Sequence, residues 1–187
     1  MKYPELIGKT IKLTALNDSH YEALQTIVVN NHDVYRYTTI GRTTADFARW
    51  FVLAQQHSAW TVIKLSDNQP IGSTRLYHLD TAVACATVGY TWYRPDCRGS
   101  GVNDEAKLLL LTYLFETMNI NRVSFEINAN NTASRRAVEK LSATLEGVLR
   151  QNRRTTAGDL ADTCVYALFA EQWQKTKKQL QQKTGIL

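Results

Sequence analysis

The junction between residues 88 and 128 constrains this chain more than any other stretch. A β-rich run, Val88-Gly89-Tyr90-Thr91-Trp92, ends near Pro95, which has no backbone N–H to give to a sheet. The loop Arg98-Gly99-Ser100-Gly101 follows, and a helix opens at Val102 or Asn103. That helix carries Leu108 to Leu111 consecutively, then Leu114, Phe115 and Met118, so it is apolar over most of its circumference and reads as buried. The alternating strand Arg122 to Asn128 comes next. Strand, long helix and strand in that order make a crossover that favours parallel pairing.

The loop carries chemistry of its own. Gly99 and Gly101 allow backbone conformations closed to other residues and a close approach to a ligand. The first amides of the helix have no intrahelical partner and lie at the positive end of its dipole. Such a loop is an anion site whose natural guest is a phosphate. A P-loop would need Gly-x-x-x-x-Gly-Lys-Ser/Thr, which is absent. A dinucleotide fingerprint would need a third glycine near Asp104 and a βαβ opening, and both are missing. Taken alone, the loop also fits an ordinary turn and helix start.

The other elements follow from periodicity. Ile11 to Leu16 alternates as a half-buried strand, and Asn17, Asp18 and Ser19 offer caps for a helix facing inward through Tyr21, Leu24, Ile27 and Val28. The pattern breaks between Val34 and Gly41, with Tyr35 and Tyr37 in a loop. Thr43 or Thr44 caps a second helix running to about His57, with Phe47, Trp50, Phe51 and Ala54 inward. Trp60 to Lys64 and Ile71 to Leu76 form a hairpin across Ser66-Asp67-Asn68-Gln69-Pro70, and a further strand runs from about Ala84 to Trp92. Asn130-Asn131-Thr132-Ala133-Ser134 starts a capped helix, and strands at Leu145–Arg150 and Thr163–Phe169 flank a polar turn containing Gly158. These elements predict one unit over residues 1–187, with a short, basic, poorly anchored helical tail from about residue 171.

Composition narrows the function classes. The chain is 44% hydrophobic and 21% charged, with no apolar run near a membrane span and no signal peptide in Met1-Lys2-Tyr3-Pro4-Glu5, so a cytoplasmic protein is expected. Cys85, Cys97 and Cys164 are odd in number and widely spaced, which fits reduced thiols and no zinc or other metal site. The net charge of +5 is spread out apart from Arg150, Arg153, Arg154 and the tail's Lys175, Lys177, Lys178 and Lys183. Solvated faces account for both clusters better than nucleic acid, for which no module signature is present.

From about Thr87 to Trp173 the motifs Val88-Gly89-Tyr90-Thr91-Trp92, Arg98-Gly99-Ser100-Gly101, Glu105-Ala106, Phe115-Glu116, Asn131-x-x-Ser134-Arg135, Glu146-Gly147, Asp162-x-x-x-Tyr166 and Glu171-x-Trp173 stand in register. In this set the chain resembles the GNAT acyltransferases, and within them the Rim-type ribosomal-protein N-terminal acetyltransferases. The N-terminal third resembles the family only in element order. The resemblance implies an α/β (mixed α+β) fold, a mostly antiparallel sheet splayed between two strands and flanked by helices. It implies acetyl-CoA as cosubstrate and a primary amine as acceptor, either a protein N-terminus or a small molecule, attacking directly in a ternary complex.

By the same resemblance, the backbone of Thr91, Trp92 and Tyr93 binds the pantetheine arm and points an N–H at the thioester oxygen. Amides from Arg98, Gly99, Ser100 and Gly101 through Val102 and Asn103 bind the pyrophosphate, with the Arg98 guanidinium adding charge. Asn131 and Ser134 belong to the cofactor site, and the Ser134 hydroxyl, near the sulfur, is the candidate proton donor to the thiolate; its plainer role is a first-turn helix residue bonding backbone. Tyr166 is the second catalytic candidate, with a core aromatic as the plainer role. Glu105 is expected to serve the helix dipole or cap, and His78 to be an exposed histidine. The sequence departs from the family at Val138, where many members carry a tyrosine as thiolate acid, at Thr87, where a glutamate base is usual, and at Ser142, usually glycine. The base is therefore unassigned, and a CoA-binding protein without catalysis, an RNA- or ribosome-associated protein and a homodimer stay open.

Overall fold

The described residues form eight strands, with the clearest apolar alternation in β2 and β6: β1 (Leu6–Ile7), β2 (Ile11–Ala15), β3 (Ser58–Lys64), β4 (Gln69–Asp80), β5 (Cys85–Tyr93), β6 (Arg122–Asn128), β7 (Thr144–Arg154) and β8 (Leu160–Phe169). They form one sheet in the order β1-β2-β3-β4-β5-β6-β8-β7. Every neighbouring pair is antiparallel except β5 and β6, which run parallel as the crossover requires. The computed structural model describes residues 3–31, 35, 37, 38, 40, 41, 43–155 and 158–186. Met1, Lys2 and, from the loop expected at 34–41, Val34, Arg36 and Thr39 lie outside the described residues.

Five α-helices cover the two faces: α1 (Tyr21–Val29), α2 (Thr44–Gln55), α3 (Val102–Thr112), α4 (Thr132–Glu139) and α5 (Ala170–Thr184). On one face Leu24, Ile27 and Val28 of α1 pack with Phe47, Trp50, Phe51 and Ala54 of α2, and Trp92 joins them from β5. On the other face Leu110 and Leu111 of α3, Val138 of α4, and Trp173 and Leu180 of α5 pack on Val123, Phe125, Tyr166 and Leu168. The fold is therefore the mixed α/β architecture that the motifs imply.

Local chemistry sets the helix ends. Thr43 caps α2 in a reciprocal box, accepting from the Asp46 N–H at 3.1 Å while Asp46 accepts from the Thr43 N–H at 3.0 Å. Asn17 caps a short 3₁₀ turn, Asp18–His20, that precedes α1. Beyond α4 the Ala143 N–H donates to the Val138 carbonyl and the Ser142 N–H to the Glu139 carbonyl. That is a Schellman closure, and it puts Ser142 at φ +63°, where glycine is at ease.

Several expectations need correction. The C-terminal tail is not poorly anchored: Trp173 is 2% exposed, stacks on Phe115 at 5.3 Å, and donates its indole N–H to Glu116 Oε1 at 2.7 Å. Lys177 reaches the same carboxylate at 2.8 Å, and these two donors, Lys177 first, hold Glu116 below its ordinary pKa. Glu105 stands in the first turn of α3 as expected, but its carboxylate caps no amide of its own helix. It is buried and accepts from the backbone N–H groups of Lys9 at 2.6 Å and Thr10 at 2.8 Å, clamping the β1–β2 turn to α3. Strand β1 is too short for periodicity to detect, and β4 and β7 run past their expected ends at Leu76 and Arg150. The polar end of β7 counts as strand because β8 pairs with it at Arg153↔Ala161 and Arg154↔Leu160.

Candidate active site

The parallel pair β5–β6 lasts for three residues only, Cys85↔Arg122, Ala86↔Val123 and Thr87↔Ser124. Beyond them β6 stays paired with β8 through Asn128↔Thr163, while β5 stays with β4 through Gly72↔Tyr93. The two inner edges from Val88 and Phe125 onward therefore have no strand between them. They form a V whose backbone groups are open to an added chain.

A β-bulge sits on the β5 side of the V. Ser73 pairs with Trp92 and Arg75 with Gly89, so one residue of β4 faces two of β5, Tyr90 and Thr91. Tyr90 takes the left-handed conformation at φ +51°, which is costly for a bulky residue and marks a backbone held by its surroundings. The extra residue resets the alternation of the strand. The Tyr90 ring meets Tyr77 at 5.2 Å, and the Trp92 ring meets Trp50 at 5.7 Å on the α1/α2 face. Thr91 and Tyr93 turn the other way, with the Tyr93 hydroxyl donating to Asn103 Oδ1 of α3 at 3.3 Å. Tyr35 closes the end of β5 by donating its hydroxyl to the Tyr93 carbonyl at 2.9 Å, and burial raises its pKa to about 12.

Past β5, a 3₁₀ turn at Pro95–Cys97 leads into the glycine loop. Gly99 and Gly101 stand at φ +74° and +90°, with open space where a Cβ would project. Conformation, not crowding, is what requires glycine there. None of the amides from Gly99 to Asp104 has an acceptor among the described residues, and the first bond back to the loop is Glu105 N–H to the Gly101 carbonyl at 3.0 Å. Arg98, Ser100 and Gly101 are exposed beside them, and the Arg98 guanidinium lies 5.3 Å from the Tyr35 ring. This row of donors at a helix start can take an anion with several oxygens.

Across the V, Asn131 caps α4 by accepting from the Ser134 N–H at 3.2 Å. The half-buried Ser134 hydroxyl has no partner among the described residues. Val138, at the position where many family members carry tyrosine, is buried in the core. The Tyr166 hydroxyl is committed elsewhere: it donates to Glu139 Oε1 at 2.7 Å and accepts from Arg135 Nε at 3.0 Å. Ser134 thus keeps its hydroxyl available in the first turn of α4, whereas Tyr166 braces that helix through Arg135 and Glu139. Of the basic cluster, Arg153 pairs with Glu126 and Arg154 donates to the Gly158 carbonyl, so both are engaged within the molecule.

Two buried cations escaped the sequence reading. Lys107 of α3 is 6% exposed and donates to Thr91 Oγ1 at 3.1 Å; burial lowers its pKa to about 8. Its position four residues before Leu111, on the apolar side of the helix, was the available signal. Arg75 of β4 is also 6% exposed and lies 4.3 Å from the Tyr90 ring. The bulge in β5 brings the Tyr90 ring to it, and no sequence pattern marks that.

The family model described as an acetyltransferase (GNAT) domain matches residues 10–144. "Putative ribosomal N-acetyltransferase YdaF" of Bacillus subtilis is 30% identical over 113 residues, 60% of this chain and 61% of that protein. Among solved structures, a GCN5-related N-acetyltransferase from Brucella melitensis superposes with a TM-score of 0.87 at 23% identity, covering 97% of this chain and 86% of the other. RimL, a ribosomal L7/L12 alpha-N-protein acetyltransferase, shares the fold at 0.76 and 21% identity over 89% and 94% of the two chains. The splayed pair, the amide-lined loop and a domain match over most of the sequence converge: this chain belongs to the GNAT acetyltransferase family and is similar to its Rim-type branch.

Proposed function

We propose that the protein transfers an acetyl group from acetyl-CoA to a primary amine by direct attack in a ternary complex. The observation that carries this reading is the row of amides from Gly99 to Asp104, without acceptors among the described residues, at the mouth of the β5–β6 V. Acetyl-CoA, when bound, supplies a thioester carbonyl for the amine to attack. Amides of Gly99, Ser100, Gly101, Val102 and Asn103 bind the pyrophosphate; the expected Arg98 amide is not among them, because it donates to the Pro95 carbonyl at 3.1 Å, and Arg98 contributes the charge of its side chain. The open edge of β5 at Thr91, Trp92 and Tyr93 holds the extended arm by backbone hydrogen bonds. A backbone N–H there, aimed at the developing oxyanion, is worth about 3 kcal/mol. The Ser134 hydroxyl, with Asn131 fixing its turn, supplies the proton donor on the thiolate side. Tyr166 serves indirectly, as the brace that holds α4 against β8.

The names of YdaF and RimL favour a protein N-terminus as acceptor, with a small amine as the other class. The three free cysteines suit a reduced, cytoplasmic setting. The wholly exposed edge strand β7, with Leu145, Val148 and Leu149 open to solvent, is the surface through which a homodimer would form. Calorimetric titration with acetyl-CoA and then CoA tests the core of the reading. Micromolar binding to the wild type, lost in Gly101→Asp, is expected; no binding to the wild type would overturn it.

A further inference from the structure

Among the described residues Arg75 has rings against it but no hydrogen-bond or ion-pair partner. Its Nε and Nη2 are both buried and unbonded, and no carboxylate lies within ion-pair distance of it among the described residues. Two more orphan donors belong to the same cluster, the indole N–H groups of Trp50 and Trp92. The guanidinium lies 4.3 Å from the Tyr90 ring and 6.0 Å from that of Trp50, and the two indoles are 5.7 Å apart. Buried polar groups are nearly always satisfied, and a buried charge left alone is costlier still. Glu126, which faces Tyr77 nearby, is already paired with Arg153. Burial lowers the pKa of Arg75, opposed by Tyr90 and Tyr77, but a guanidinium keeps its proton in any protein.

The position of this cluster bears on the reaction. The glycine loop and Ser134 belong to the α3/α4 face, whereas Trp50 and Trp92 pack on the α1/α2 face. Arg75 pairs with Gly89, immediately before the bulge at Tyr90. With the donor arm in the V, an amine approaching from the α1/α2 side comes to the face on which Arg75 lies against Tyr90 and Trp50. A cation there disfavours polyamines and other positively charged acceptors.

Resting on the acetyl-transfer reading above, we propose that Arg75, with the indole N–H groups of Trp50 and Trp92, binds a carboxylate carried by the acceptor, so that the amine acetylated belongs to a molecule with a carboxylate near it. Nε–H and Nη2–H form one edge of the guanidinium, the fork that matches the two oxygens of a carboxylate. One fixed positive charge and neutral N–H donors balance one negative charge. A phosphate would bring a surplus charge into a buried site.

The first experiment follows tryptophan fluorescence while the protein is titrated with glutarate or with glutaramide, its uncharged counterpart. A saturable response to glutarate, none to glutaramide, and none in Arg75→Met are expected. Arg75→Lys, which keeps the charge and loses the fork, should bind glutarate at least tenfold more weakly. Removing an unpaired buried charge should leave Arg75→Met as thermally stable as the wild type, so a failure to fold is not anticipated. Equal responses to the two probes, or a glutarate response unchanged in Arg75→Met, would overturn the assignment.

The second experiment compares acetylation of matched amines: 4-aminobutyrate against butylamine, and short peptides with Asp against Asn at the second position. The carboxylate member should show at least a tenfold lower KM in whichever pair is the true class, and Arg75→Met should abolish that preference while binding acetyl-CoA as before. Acetyl-CoA binding without any carboxylate preference would sink this inference alone. Absence of acetyl-CoA binding would sink the acetyl-transfer reading, and the glutarate titration would still decide the role of Arg75.

Discussion

Single side chains carry the sharpest tests. Gly101 stands at φ +90° beside unpaired amides, so Gly101→Asp adds both backbone strain and a carboxylate where an anion is to sit. CoA affinity should fall at least tenfold in a variant whose circular dichroism is unchanged. Ser134→Ala should lower kcat more than it alters CoA affinity, which single-turnover kinetics and calorimetry separate. Lys107 gives a pH-dependent test. Below about pH 8 it is charged in both folded and unfolded chains, and the cost of burying that charge is fully present. Between about 8 and the unfolded value of 10.5 the folded protein has shed the proton while the unfolded chain keeps it, so stability rises with pH. Lys107→Met should therefore stabilise the protein at pH 7 by about 1–3 kcal/mol, an advantage that shrinks toward pH 10 in denaturant titrations. Ser142→Gly relieves a left-handed serine and should gain up to about 1 kcal/mol.

Elements were legible where periodicity or capping was strong. A threonine cap at 43 or 44, the α3 crossover and the parallel β5–β6 pair all follow from residue types read in order, and the structure gives the cap to Thr43. The tail helix was misjudged because its mean character is polar, and only Trp173, Thr176 and Leu180 turn inward. Three anchors spaced along fifteen residues suffice once Phe115 and Glu116 meet them from the π-helical turn Tyr113–Thr117 that continues α3. Trp173→Ala should accordingly cost about 3–5 kcal/mol, measured as a loss of denaturant midpoint. Glu105 was misread for a related reason. A carboxylate in a first helical turn suggests the dipole, but its real partners, the amides of Lys9 and Thr10, lie some 95 residues away and leave no trace in local spacing.

At the scale of the whole molecule, the sheet separates two kinds of work. Its α3/α4 face carries the glycine loop and Ser134, and its α1/α2 face carries the aromatic cluster around Arg75. The loop was readable because a short motif encodes it. The second face was not, because its geometry depends on pairing between β4 and β5 and not on any one run of residues. The extra residue at Tyr90 connects the two faces by parity. Deleting one residue between Gly89 and Thr91 would restore simple alternation, turning an indole toward Lys107 and a hydroxyl into the rings around Trp50. Descendants of this chain can exchange letters in that stretch, but its length is a trait in its own right, and a gap of one there would do more harm than a change of identity.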